Sequence, residues 1–80
     1  MDINEILSHD ANFLYQLLSR MAGDCEYFLD HGNRQEKHLW ALNVSEHIRI
    51  MKEIWSSFPD DQKPEWITYE DIERYEREMQ

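Results

Sequence analysis

The chain has 80 residues, and its 17 aspartates and glutamates outnumber its 8 lysines and arginines to give a net charge of −9. That charge argues against direct binding to nucleic-acid phosphates or to anionic membranes, since both depend on Lys and Arg, but it is compatible with a basic protein partner. The single cysteine cannot form an internal disulfide, and no apolar run approaches the roughly 18 residues of a membrane span. We therefore expect one small cytosolic domain.

The first part of the chain predicts a short helical turn followed by a long helix. Ser8 and Asp10 are both good N-caps, so they favour a break before the long helix, which we place at about residues 10–31. One continuous helix over residues 3–30 is the alternative. The apolar residues of the long helix recur at steps of three and four and form one stripe: Phe13, Leu14, Leu17, Leu18, Met21, Ala22, Cys25, Phe28 and Leu29.

Two glycines mark this helix in different ways. Gly32 and the following Asn33 are residue types that end helices, because both tolerate the left-handed backbone conformation. Gly23 lies inside the helix, where glycine costs about 1 kcal/mol relative to alanine. Its missing side chain predicts that another helix packs closely at this point.

Two more helices follow. A helix at about residues 44–58 is predicted to begin after an N-cap at Asn43 or Ser45 and to end before Pro59. Asn43 and Glu46 have the spacing of a capping box. A helix at about residues 68–79 has Thr68 as its N-cap and an acidic residue three positions later, which is typical of a capping box.

These elements predict a mainly α fold, a small three-helix domain over residues 1–80. Trp40 and Trp66 lie in the two connections and are expected to pack against each other. A short two-stranded pairing of residues 38–42 with residues 65–68 is an open alternative, although two strands alone are marginally stable.

No residue pattern predicts a catalytic, cofactor or metal site. Cys25, His31, His38 and His47 are the residue types that bind zinc, but none of them form the tightly spaced pairs of zinc sites. Cys25 has an acidic residue on each side, which disfavours a reactive thiolate, so it is expected to be a small buried hydrophobe. We expect a non-enzymatic protein without cofactors, and a small metal-dependent enzyme is an alternative.

The last third of the chain is strongly acidic. Eight carboxylates there outnumber three basic residues, a balance of −5. One hypothesis is a negative surface that binds the basic groove of another protein in place of a phosphate track. The other is a solvated helix with ion pairs such as Glu70–Arg74 and Glu73–Arg77. The carboxylates are Asp60, Asp61, Glu65, Glu70, Asp71, Glu73, Glu76 and Glu78.

The chain also resembles a known family, the large polyvalent protein-associated domains of the eleventh type. The resemblance covers about residues 13–79 and is carried by the segments DCEYFLDHGNR, KHLWAL, EHIRIMKEIWSSFP and KPEWITYEDIERYEREM. It implies a module of phages, plasmids or conjugative elements of Firmicutes, in the cytoplasm of a bacterial host cell. It implies an accessory role beside DNA-processing or defence-evading proteins, and it supplies no catalytic residues.

Together these observations predict a protein-interaction module that binds a basic, nucleic-acid-handling or host-defence protein. The sharpest version is an anti-CRISPR-like inhibitor of a defence nuclease, with no direct nucleic-acid or membrane contact. A self-associating structural module, a homodimer paired through the long apolar stripe, is the alternative. The predicted partner-binding residues are Asp60, Asp61, Glu70, Glu73, Glu76, Asn33, Arg34 and His38.

Overall fold

The computed structural model describes residues 3–30 and 35–79, and within these ranges the backbone forms helices and turns without a strand. The mainly α prediction is confirmed. In chain order the elements are α1 (Ile3–Leu7), α2 (Ala11–Asp30), a 3-10 turn (Glu36–His38), α3 (Val44–Ser57), a second 3-10 turn (Asp60–Gln62) and α4 (Tyr69–Met79).

The break between α1 and α2 is confirmed. The Ser8 hydroxyl donates to the carbonyl of Glu5 at 2.6 Å, which turns the chain out of α1. Asp10 then caps α2, because its Oδ1 accepts from the backbone N–H of Phe13 at 2.8 Å. A side-chain acceptor at this position satisfies an N–H that the helix itself leaves unpaired.

Side chains also cap the other two long helices as predicted. Asn43 Oδ1 accepts from the backbone N–H of Glu46 at 2.8 Å at the start of α3. At the start of α4 the capping box is reciprocal: Thr68 Oγ1 accepts from the N–H of Asp71 at 3.1 Å, and Asp71 Oδ2 accepts from the N–H of Thr68 at 2.9 Å. These local contacts fix where both helices begin.

The three long helices contact one another in pairs, and α1 packs against α3. Their apolar stripes face inward, so the core lies between α2, α3 and α4. Fully buried side chains include Leu18 and Met21 of α2, Ile48, Ile50, Met51 and Ile54 of α3, and Ile72 of α4. No described helix combines the length and apolar character needed to cross a bilayer.

The alternative of a two-stranded pairing between the connections is wrong for this structure. After the 3-10 turn, the backbone makes a hydrogen bond within its own segment rather than to a second strand. Leu42 N–H donates to the carbonyl of Leu39 at 3.0 Å. Leu42 has a φ of 66°, which reverses the chain direction. Trp40 N–H donates to Asp24 of α2 at 3.1 Å, so this segment is held by a side chain of the long helix.

The expectation of close helix packing at Gly23 is also wrong. A Cβ built on Gly23 would have no atom of another element within 4 Å. The glycine faces open space beside α4, so the packing of this domain does not require it.

Aromatic residues hold the connection between α3 and α4. Trp55 Nε1 donates to the carbonyl of Ile67 at 3.1 Å. The Lys63 ammonium lies 4.6 Å from the centre of the Trp55 ring and donates to the carbonyl of Phe58 just past the end of α3. Trp66 packs edge-on against Tyr15 of α2, rather than in the predicted pair with Trp40. The Trp66 indole N–H also donates to the Tyr15 hydroxyl.

Candidate protein-interaction surface

Three of the predicted acidic residues stand at the surface between α3 and α4. Asp60 and Asp61 lie on the second 3-10 turn, and Glu70 lies in the first turn of α4; all three are exposed. Within the described residues, Asp60 makes one long ion pair, with 4.0 Å between its Oδ1 and Lys63 Nζ. An exposed pair at that distance contributes little to stability, so these carboxylates are accessible to another molecule.

Glu76 has a structural contact and Glu73 lies close to it. Glu76 Oε1 is 3.0 Å from Lys52 Nζ, which links α4 to α3. The hydrogen bond to Glu76 raises the pKa of Lys52, and the charge of Glu73 acts in the same direction. Glu76 therefore holds a lysine of the same domain, and Glu73 acts on that lysine through its charge.

The remaining predicted residues are placed only in part. Asn33 and Arg34, like His31, lie outside the described residues. His38 belongs to the first 3-10 turn, but its side chain is not among those described. Their assignment to partner binding stays a prediction.

Cys25 is fully buried in the core, as the sequence predicted. Its Sγ lies 3.7 Å from the sulfur of Met51 on α3. Burial, together with the charges of Asp24 and Glu26, raises the pKa of the thiol to about 12. A thiol in this environment stays protonated, so Cys25 is a packing residue rather than a nucleophile.

His47 is buried as completely as the apolar residues around it. Its Nε2 lies 2.9 Å from the Met21 carbonyl, and because a carbonyl can only accept, Nε2 carries the hydrogen. Nδ1 is buried without a hydrogen-bond partner. Burial lowers the pKa of His47, and the contact with Met21 and the charge of Asp24 oppose that shift only in part. The imidazole is neutral, and it packs in the core with one hydrogen bond to α2.

No cluster of three or more His, Cys, Asp or Glu side chains with metal-binding geometry is present in the described part of the chain. Cys25 and His47, the described residues that the sequence singled out as ligand types, are both enclosed in the core. Neither has a surface position from which to act on a substrate.

A depression lined by charged and aromatic residues runs between α2 and α4. One part has a cavity volume of about 360 Å³, and a second part has about 220 Å³. Glu26, Arg74 and Tyr75 line both parts, and we call the two together the α2–α4 groove. The first part is also lined by Ser19, Ala22, Gly23, Trp66, Ile67 and Asp71, and the second by Leu29, Asp30 and Glu78.

The charges in the α2–α4 groove are predominantly negative. Four carboxylates and one guanidinium line it, a balance of −3. The Tyr75 hydroxyl donates to Glu26 Oε1 at 3.3 Å across the groove, and burial followed by the charge of Glu26 raises the pKa of Tyr75 to about 12. Arg74 lies over the Tyr75 ring at 5.2 Å. Arg74 is the one cation among the described residues that line the groove.

The model of one protein family, large polyvalent protein-associated domain 11, matches residues 11–79. The chain belongs to this family. No curated protein and no solved structure matches the chain.

The matched region begins at the first residue of α2 and ends at the last residue of α4. The match therefore covers α2, α3 and α4 of this chain, and α1 lies outside it.

Sequence reasoning did not find the α2–α4 groove in this polyvalent protein-associated domain. Glu26 and Glu78 are far apart in the chain, and only the packing of α4 along α2 brings them to one groove. Gly23 was the one local signal, because a glycine inside a helix needs a reason. Gly23 lines the groove, and close helix packing is not the reason for it.

Proposed function

We propose that this domain is a non-enzymatic protein-interaction module of a bacterial mobile element, and that it binds a basic, nucleic-acid-handling or host-defence protein in the cytoplasm. The observation that carries the proposal is the exposed acidic surface beside α4, where Asp60, Asp61 and Glu70 stand in solvent. Complementary charge steers the encounter of two proteins and disfavours partners of the wrong sign.

The positions of Cys25 and His47 support a non-enzymatic role. Cys25 is a protonated thiol in the core, and His47 is a neutral imidazole bonded to a helix carbonyl. An acid–base or nucleophilic residue must reach its substrate, and neither of these does. The family membership supports a context within or beside polyvalent proteins.

The sharpest version of the proposal is an anti-CRISPR-like inhibitor. Nucleases that act on phosphodiester backbones bind them with lysine and arginine, so a surface of carboxylates can occupy the same groove. In this version the domain competes with nucleic acid for a basic channel. Its binding would then weaken steeply as salt is added.

The test is capture of a partner followed by a binding measurement with the purified pair. The immobilised domain is mixed with a Firmicutes lysate, with and without nuclease treatment, and the bound proteins are identified by mass spectrometry. We expect a basic protein that remains bound after nuclease treatment. Its affinity should fall by about tenfold or more for the variant Asp60→Lys/Asp61→Lys/Glu70→Lys. If the partner is a nuclease, its cleavage of DNA should be inhibited by the wild type.

Two controls make the result specific. Glu76 is left unchanged, because reversing it would break the contact with Lys52 inside the domain. The unfolding midpoint of the charge-reversed variant is measured beside that of the wild type to show that both are folded. A partner that binds both proteins equally, at low and at high salt, would contradict an acidic interaction surface.

The alternative is self-association through the long apolar stripe of α2, and most of that stripe is buried within the domain. Seven of the nine residues of the long apolar stripe are buried inside the domain, and Phe13 is the exposed exception at its N-terminal end. A homodimer would have to use other residues. Sedimentation over a wide concentration range distinguishes the two candidates, since an interaction module of this kind stays monomeric alone.

A further inference from the structure

The α2–α4 groove has a shape that the fold itself does not require. Gly23 weakens α2, because glycine is the poorest helix former after proline. Packing does not explain the cost, since a Cβ at Gly23 would meet nothing within 4 Å. The missing side chain instead keeps the floor of the groove open. An unfilled position of this kind is useful when something outside the domain approaches the helix closely.

The walls of the groove have the chemistry that recognises a guanidinium. Glu26 and Glu78 supply carboxylates, which pair with arginine through two parallel hydrogen bonds. Trp66, 43% exposed at one end of the groove, supplies an aromatic surface, on which a guanidinium stacks better than an ammonium does. Arg74 of the chain itself lies over the largely buried Tyr75 ring, 5.2 Å from its centre.

We propose that the α2–α4 groove binds an arginine-bearing segment of the protein partner, with the guanidinium entering over Gly23. This inference rests on the proposed function and adds to it the place and the residue type that anchor the partner. The net charge of −3 in the groove is complementary to a basic segment even with Arg74 in place. The exposed carboxylates near Asp61 and Glu70 then attract the partner, and the groove holds it.

The probe for this proposal is a peptide of about eight arginines, and the control probe is a peptide of the same length made of citrulline, the neutral counterpart of arginine. Binding is followed by NMR at low ionic strength. We expect saturable shifts centred on the amides of Ser19, Gly23 and Glu26 and on the Trp66 indole. The citrulline peptide should cause none of them, and a lysine peptide should bind more weakly than the arginine peptide.

Two double variants with the same change in net charge distinguish contacts within the groove from long-range attraction of the peptide by the acidic surface. Glu26→Gln/Glu78→Gln removes two carboxylates from the groove, while glutamine at position 26 can still accept from Tyr75. Asp61→Asn/Glu70→Gln removes two outside the groove. We expect about a tenfold weaker peptide affinity for the first pair and less than about a twofold loss for the second, because an outer charge affects mainly the rate of encounter. Asp71 is kept, since it caps α4.

A third variant blocks the groove without changing its charge. Gly23→Gln adds a long neutral side chain at a position with free space, so the variant should be at least as stable to urea as the wild type. It should no longer bind the arginine peptide. Ser56→Gln places the same residue on an exposed position of α3, outside the groove, and should bind as the wild type does.

The outcomes distinguish this proposal from the proposed function. Shifts centred on Asp60, Asp61 and Glu70, with both double variants equally weakened, would overturn the groove and leave an acidic interaction surface. Unchanged binding by Gly23→Gln, or no saturable shift with the arginine peptide, would also overturn the groove. The lysate capture and charge reversal test the proposed function independently of any of these results.

Discussion

A buried histidine makes the stability of this domain depend on pH. His47 is neutral in the folded state because burial disfavours its charged form, which lowers its pKa below the ordinary value of 6.5. The unfolded chain exposes the same ring, and there it binds a proton below about pH 6.5. The unfolded state therefore binds more protons than the folded state below that pH, and stability falls as the solution is acidified.

We predict that the contribution of His47 to the free energy of unfolding does not change with pH above about pH 7.5. On acidification to about pH 5.5, this contribution should decrease by up to about 1.4 kcal/mol. His47→Gln should lack this part of the decrease, since an amide can still donate to the Met21 carbonyl but does not titrate in this range. Urea unfolding of both proteins at the two pH values measures it. An equal decrease in both would assign the acid sensitivity to carboxylates instead.

At the scale of elements, the capping box of α4 is a local interaction between two residues, Thr68 and Asp71. Thr68 and Asp71 each bond the backbone N–H of the other, and both bonds lie at an exposed helix end. The residue before this pair, Ile67, is buried in the core, so the cap also fixes the direction in which the chain enters α4.

Thr68→Ala should reduce the free energy of unfolding by about 1 kcal/mol, because it leaves the N–H of Asp71 without its side-chain acceptor. Thr68→Ser keeps the hydroxyl and should retain most of the stability. Urea unfolding with a common slope for the three proteins gives the difference. If the serine variant loses as much as the alanine variant, the methyl group of Thr68 rather than its hydroxyl stabilises the helix end.

The helices were predictable because their boundaries depend on neighbours in sequence. Asp10, Asn43 and Thr68 each bond a backbone group three residues away, and a residue pattern contains that information. The role of Gly23 was not predictable, since it depends on whether another helix fills the space beside it. The burial of His47 was missed because a polar residue next to an apolar stripe is as often exposed as enclosed.

At the scale of the whole molecule, the candidate site could not be predicted. The α2–α4 groove joins Glu26 to Glu78 across the bundle, and no local pattern relates the two. Of the residues that the sequence assigned to the partner, Asp60, Asp61 and Glu70 are exposed and Glu76 is held by Lys52. The sequence indicated that the surface is negative. Which carboxylates are exposed and which contact other residues of the domain depends on how the helices pack.

The net charge of −9 should make the domain more stable in salt. Like charges on a compact domain repel one another more than they do in the extended chain, and dissolved ions screen that repulsion. We predict a gain on the order of 1 kcal/mol in the free energy of unfolding between low and moderate NaCl concentrations.

The variant Asp60→Lys/Asp61→Lys/Glu70→Lys is the control for this effect. Each reversal adds two charges, so three reversals take the net charge from −9 to −3, and the gain with salt should be smaller. Urea unfolding at matched salt concentrations measures both proteins. A larger gain for the variant would mean that salt acts on specific contacts rather than on overall repulsion.

The buried thiol of Cys25 can be used to measure how often the domain opens. It is the single cysteine of the chain, and it lies fully inside the bundle against Met51. A thiol reagent can reach it only when the helices separate, so the rate of labelling follows the opening equilibrium without an added dye. A partner that clamps α2 to α4 would slow this labelling, and native protein could be used to detect that partner.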